Sequence, residues 1–487
     1  MKTLLTYKTS GFLLLILLVG TIAIGSLHEL APALIVLAFF LFFLLLRGIT
    51  NFQALFFLSI PLSFYITLTG GKTGIMFPSE PLLAILCFFS IIKILTSKNL
   101  TLAIFDHAVS FSLLILWTGL VIATIYSNIP VVSGKALFIF TLFIIVFYYQ
   151  WILNPSKETL GEIDKMLKFY FIGLLIVATI TIIKHASLGF ERASAMNMPP
   201  PFFSDHTLYG CCLAFFIPII VYWYKTSSSK LFYSLSFIVM LLAIYLTFSR
   251  AVWMSLLSVL VLNYILYLKI SFKRISITLI SILLLFFLFQ DSTLNLLSNN
   301  NSDSKARKAE VSDQLKSVTN ISSDVSNLER INRWKSAWIM FSQKPLTGYG
   351  PGTYQFNFIP FQRDEDKTKI SVSYASNRFS QGMGGTAHSQ YLLFASESGV
   401  IVILAFIAVL FFTLKAGFTV YYESSDEKEK MLVKALLGGY VTFVFHSFFN
   451  NFLDIDKAAA LFFLFNAAIV IVSIVHKKNK TALPIEF

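Results

Sequence analysis

The residues with the clearest chemical potential sit in three short polar clusters, each at the head of an apolar run. In AHSQYLLFASESGV, residues 387–400, His388 stands where a long polar stretch gives way to an almost uncharged run from Tyr391 to about Leu414. A titratable ring there can reach both water and a lipid headgroup, which suits chemistry on a lipid-carried substrate. DHTLYG (Asp205–Gly210) and SRAVW (Ser249–Trp253) open the apolar runs at 207 and 251 in the same way. A helix start exposes unpaired N–H groups and the positive end of the helix dipole, and so favours anions, phosphate included. Asp205 and Ser249 are suitable N-caps. Arg250 lies at the mouth of one such helix, and Arg192, in FERAS, lies in a loop at the same level. A planar guanidinium can hold two phosphate oxygens at once. If the three helix starts are neighbours, they form an electropositive pocket in which His388 stays neutral, as a general base must.

Each residue also has a plainer reading. His388 can be a hydrogen-bonded helix cap, and Arg250 can snorkel to a headgroup or merely mark topology. Lys72 and Lys135 are further cations on the same side, and His206 and His446 also fall near it. No histidine pairs with an acidic residue in HExxH fashion, and Cys87, Cys211 and Cys212 all lie in apolar segments. No metal site, disulfide framework or cofactor is expected.

The elements that must position these residues are membrane helices. The 487-residue chain is 56% hydrophobic and only 13% charged, against roughly a quarter charged in soluble domains. Many apolar runs reach the ~20 residues that cross a bilayer, and in lipid such runs must be helical. Fourteen spans are read near 11–27, 31–46, 53–69, 80–96, 108–125, 132–152, 167–184, 207–224, 231–248, 251–268, 275–290, 389–415, 431–449 and 458–475. The first three are short or closely spaced, so the expected fold class is an all-α polytopic membrane protein of about 12–14 transmembrane helices. Its parts are residues 1–290 with helices 1–11, a large loop over 291–388, and residues 389–487 with the last three helices and a tail.

With the N-terminus cytoplasmic, one set of loops collects Lys93, Lys98, Lys157, Lys165, Lys168, Lys225, Lys230, Lys269, Lys273, Lys428 and the tail lysines. The positive-inside rule makes that side the cytoplasm and leaves the three clusters outside. The net charge of +13 is therefore topological, and no nucleic-acid partner is expected. Within the large loop, residues 299–325 are polar and read as mobile. Leu328, Ile331, Trp334, Trp338 and Phe341 then form one apolar stripe at helical spacing, stopped by Lys344-Pro345. Such a helix would lie on the outer leaflet, cap a cavity, or pack on its own protein.

The ordered set of motifs resembles the O-antigen ligase / Wzy-type polymerase superfamily of bacterial envelope glycan assembly. The matching elements are Arg192 followed by PPPFFSDHTLYG, the SRAVW turn, RINRWKSAW…KPLTGYGPGTY and AHSQYLLFASESG, covering roughly residues 185–415. The resemblance implies a metal-independent glycosyltransferase in the bacterial inner membrane, with both termini cytoplasmic and a periplasmic active site. The donor would be a glycan on undecaprenyl pyrophosphate and the acceptor a lipid A–core or another lipid-linked glycan, amid membrane lipids. Arg192 and Arg250 would hold the pyrophosphate and His388 would activate or orient the acceptor hydroxyl. Arg333, Trp334 and Tyr349 match motif positions, while Lys135 and His206 complete the expected binding set. The span count ahead of the large loop exceeds that of a twelve-span ligase. Ligase is the first reading and polymerase the second. A lipid-linked oligosaccharide flippase is a more distant rival, since neither internal repeats nor midplane charges are evident.

Overall fold

The computed structural model describes residues 48–67, 74–98, 105–288, 325–363 and 385–482. The expected spans at 11–27 and 31–46, the cation Lys72 and nearly all of the polar stretch at 299–325 lie outside these residues. The described helices are α1 (Ile49–Leu62), α2 (Ser79–Thr96), α3 (Ala108–Ile125), α4 (Pro130–Ile152), α5 (Lys157–Ala186), α6 (His206–Thr226) and α7 (Lys230–Leu246). They continue as α8 (Arg250–Tyr267), α9 (Phe272–Leu288), α10 (Val325–Gln343), α11 (Gln390–Glu423), α12 (Glu427–His446) and α13 (Asp456–Ala482). Every expected span from 53–69 onward coincides with one of them. Eight are long and apolar enough to cross a membrane by length and composition, and α1 and α7 are shorter apolar helices. The protein is an all-α, multi-pass membrane protein.

One departure is a small antiparallel hairpin, β1 (Phe64–Thr67) with β2 (Gly74–Phe77), in the register Phe64 to Phe77 and Thr67 to Gly74. The span read at 53–69 therefore stops at Leu62. Aromatic and β-branched residues at Phe64, Tyr65, Ile66 and Thr67 suit an extended pair once Gly74–Phe77 supplies the partner.

The bundle is organised around α13, whose residues from Ala458 to Val472 are almost wholly buried. Without water to drive helices together inside a bilayer, small residues and satisfied polar groups hold the contacts. Gly439 of α12 lets the backbone approach closely, since a Cβ there would lie 2.6 Å from the Phe215 carbonyl oxygen of α6. Asn466 ties three helices, accepting from Thr413 of α11 (2.5 Å) and Tyr440 of α12 (3.2 Å) while donating to the Phe462 carbonyl (2.7 Å).

The connections sort to two faces. On one, Lys344 Nζ donates to Asn128 of the α3–α4 turn (2.8 Å), Thr386 to Asn451 of the α12–α13 turn (2.6 Å), and Lys457 to the Ile60 and Ser63 carbonyls at the end of α1 (2.8 and 2.9 Å). This is the loop face. On the other, Lys480 pairs with Glu423 (2.9 Å), His476 with Glu429 (2.9 Å), and Tyr422 donates to the Ile270 carbonyl (3.0 Å). This short-turn face carries the lysine-rich loops.

Two features of the loop face differ from expectation. The helix headed by His388 is not one continuous span. Gly399 has φ +77° and breaks it, leaving 390–398 as a separate segment ahead of 400–423. The break makes room for the chain at 345–350. A Cβ at Gly399 would lie 2.3 Å from the Leu346 carbonyl oxygen, and Val400 N donates to Pro345 O (2.8 Å). Tyr349 N and Gly350 N donate to the carbonyls of Ser396 (3.2 Å) and Glu397 (2.7 Å). The second difference is α10, whose buried face carries Glu329, Asn332, Arg333, Ser336, Ala337 and Met340. The apolar stripe is therefore split: Trp334 stacks near Phe449 (6.2 Å), whereas Trp338 is exposed. Helical period alone gives the spacing, but Arg333 finds partners inward, on Glu329 (2.9 Å) and the Thr386 carbonyl (3.1 Å), and that rotates the helix.

Candidate active site

The loop face brings the heads of α6, α8 and α11 to one end of the bundle, where they meet the loop helix α10 and the α12–α13 turn. Asp205 caps α6 by accepting from Thr207 N (2.9 Å), also accepts from the Thr207 hydroxyl, and pairs with His206 Nδ1 at 3.0 Å. Enclosure works against ionisation of Asp205, but the bonds from His206 and Thr207 outweigh it and hold the carboxyl down to about 2. The cap at Ser249 is different. Its side chain makes no cap bond, and Ser249 N donates to the Thr247 hydroxyl oxygen (3.2 Å). Ser249 and Ser389 each follow a residue in the left-handed region, Phe248 (φ 49°) and His388 (φ 51°). That conformation is costly for a residue with a Cβ and tends to persist where surrounding structure imposes it. For His388 the restraints are visible. Trp334 Nε1 donates to its carbonyl (3.2 Å), and two residues on, Gln390 N donates to Ser447 O (2.8 Å).

The His388 ring is half-buried. Burial first, then the Arg330 and Arg333 guanidinium groups, push it down to about 4, with Asp205 and Glu329 pulling the other way. At neutral pH the imidazole is uncharged. Arg330 also donates to the Phe449 carbonyl, so α10 is pinned to the turn after α12. The Arg333 guanidinium lies over the Phe358 ring at 4.9 Å, and Tyr354 donates to the Arg333 carbonyl (2.9 Å).

A cavity of about 500 Å³ opens beside the segment that His388 heads, lined among others by Lys135, Gly352, Thr386, Gln390, Glu397 and Asp454. Glu397 shapes its wall, accepting from Gly352 N (2.9 Å) and Tyr354 N (2.7 Å). A second cavity of about 430 Å³ shares Lys135 and Asp454 and reaches Glu80, Phe203 and Lys457. Asp454 is exposed to the cavity space, and the protein closing around that space pushes its carboxyl up to about 6.

The expected site residues are thus distributed unevenly. His388, Arg333 and the Asp205–His206 cap are gathered within electrostatic reach. Arg250 begins α8, whose Val252 packs on Gly210 of α6, which keeps it at the same end. Arg192 is exposed on a turn of 3₁₀ helix, Arg192–Asn197, in the α5–α6 loop. Lys135 faces the two cavities instead. Tyr349 is a clamp: its hydroxyl donates to Gln343 (3.2 Å), its ring lies under Lys344 Nζ (4.5 Å), and its carbonyl accepts from Asn128 N (3.2 Å). The sequence reading did not assign Arg330, Glu397 or Asp454. Arg330 shares a motif with Arg333 at a spacing of three, the one signal that pointed to it. Among the described residues no group of three or more His, Cys, Asp or Glu side chains is placed to hold a metal ion.

Fold and site together define a polytopic membrane protein with a polar, partly enclosed cavity on one face. Residues 235–407 match the family model described as O-antigen ligase. The match holds Arg250, Arg330, Arg333, Tyr349 and His388; Arg192, His206 and Lys135 precede it. No curated protein matches the chain.

Proposed function

We propose that the protein transfers a glycan from undecaprenyl pyrophosphate to an acceptor hydroxyl at the periplasmic face of the bacterial inner membrane. The lipid A–core is the first acceptor to test. The family match supports ligase- or polymerase-type chemistry. The observation that carries the reading further is His388, a half-buried neutral imidazole among Arg330, Arg333 and the ionised Asp205. The lysine-rich short-turn face supports a periplasmic loop face by the positive-inside rule.

In the proposed reaction the acceptor oxygen attacks the anomeric carbon, and the bond from that carbon to the pyrophosphate oxygen breaks. The bonding pair leaves with the pyrophosphate, and His388 takes the hydroxyl proton. Arg192 and Arg250 hold the leaving diphosphate; fixed cations aimed at a departing charge stabilise the transition state with no reorganisation at the moment of reaction. An arriving diphosphate also offsets the arginines beside His388, so the base strengthens once the donor is bound. The 500 Å³ cavity, with Lys135, Gln390 and Asp454 on its wall, offers polar partners for a sugar.

Deletion of the gene followed by gel analysis of surface glycans tests this reading. Loss of long chains from lipid A–core, with lipid-linked chains accumulating, is the ligase outcome. A single repeat unit left on the core indicates a polymerase. Unchanged surface and lipid-linked glycans would overturn both.

A further inference from the structure

The chain at 344–352 does more than wall the cavity. Leu346 is 69% exposed, although its carbonyl lies at the Gly399 break and its neighbours 348–350 are buried. It sits directly above 400–423, whose outward residues Ile401 and Leu404 face the lipid side of the span. On its other flank the Lys344–Asn128 bond and the Asn128–Tyr349 backbone bond bring the α3–α4 turn alongside. That turn exposes Ile125 (71%), Tyr126 (65%) and Val131 (85%). Exposed apolar side chains at the ends of α3 and α11 and on the loop, Tyr126, Ile401 and Leu346 among them, therefore form an apolar band that begins on these helices and is crossed by the Lys344–Asn128 bond. Trp338, in ring contact with Phe341 at 5.6 Å, extends it one turn along α10.

We propose that this band, centred on Leu346 and Tyr126, is a membrane-docking surface that sinks the 338–346 edge of the loop into the outer leaflet, at the level of the headgroups and first acyl carbons. The occupant is lipid. The band is continuous with spans that must face lipid, and a Tyr and a Trp at its margin suit the interface, where an apolar ring and a polar tip are both satisfied. Lys344 is held on Asn128 and over the Tyr349 ring rather than projecting from the band. The consequence, which rests on the proposed function, is that the cavity opens at headgroup level and takes its lipid-linked substrate sideways from the leaflet.

Site-directed spin labelling of the full-length protein in lipid nanodiscs tests the docking without any assay of activity. The native cysteines are buried, so single labels can be placed at L346C and V131C. L404C serves as a lipid-facing reference and S425C, on the exposed α11–α12 turn, as an aqueous one. Docking predicts that at 346 and 131 collision with oxygen exceeds collision with a water-soluble nickel chelate, as at 404 and opposite to 425. Nickel-dominated collision at both 346 and 131, matching 425, would overturn it, whatever the glycan assays show. If L346C fails to fold, the 131 label alone decides by the same criterion.

Discussion

The two faces of the bundle handle charge in opposite ways. On the short-turn face, charged groups pair at the surface: Lys430 with Glu427 (2.8 Å), Lys480 with Glu423 (2.9 Å), and Lys168 with Asp164 (2.6 Å). Exposed pairs of this kind contribute little to stability. On the loop face, charged and polar groups are buried, Glu329 with Arg333, Glu397 on two backbone N–H groups and Lys457 on three main-chain carbonyls, while His388 is half-buried on a left-handed backbone. Breaking a buried pair of this kind is costly, and stability alone does not account for the investment. What distinguishes the loop face is two adjoining cavities with ionisable walls. The difference teaches that charge density is no guide to the working end here; enclosure of charge is.

The comparison can be broken at several points, the largest effect first. H388A should lose product formation by about 10²–10⁴-fold, the usual contribution of a positioned base, while donor binding persists. Transfer at the wild-type rate would reduce His388 to a cap. R250K should follow: one charge remains but the fork is lost, so transfer falls by about tenfold or more. Normal turnover in that variant would remove Arg250 from the diphosphate site. G399V is a test of folding rather than chemistry. It meets the Leu346 carbonyl and forces a β-branched residue to positive φ, which should cost several kcal/mol, at least the ~1–3 kcal/mol of a strained backbone position, read as a lower midpoint of thermal unfolding.

The pH profile sharpens the picture. Because the His388 pKa is lowered from 6.5 to about 4, the imidazole stays the active free base down to near pH 4. The acid limb of the rate for free enzyme should therefore not sit at 6.5. If a limb appears near 6, it should vanish in D454N, whose parent carboxyl is the raised group on the cavity wall. Smallest of all, K480A on the short-turn face should change stability by no more than about 1 kcal/mol and leave transfer untouched.

Much of this was legible in the chain. Apolar runs set the spans, and each described helix from α1 onward except the loop helix α10 overlaps one, because lipid leaves the backbone no alternative to a helix. The face shared by the heads of α6, α8 and α11 follows from counting those spans. What remained hidden depended on contacts distant in sequence. Gly399 is one glycine in an apolar run until the 345–350 chain arrives to fill its break. The stripe on α10 had the right period, but which side of the helix turns inward depends on partners for Arg333 at residues 329 and 386. Ser249 carries the signature of a cap and yet its side chain makes no cap bond. Asp454 belongs to no motif, and only the closing of two cavities around it marks it out.

The central claim is that a lipid diphosphate meets arginine and imidazole on the loop face. A cryo-electron microscopy structure of the full chain in nanodiscs with undecaprenyl pyrophosphate tests it most directly. Diphosphate density is expected on the loop face against Arg192 and Arg250, with the His388 ring within about 3 Å of the position open to an acceptor hydroxyl. Diphosphate bound on the short-turn face, or on the loop face with both arginines turned away, would contradict it.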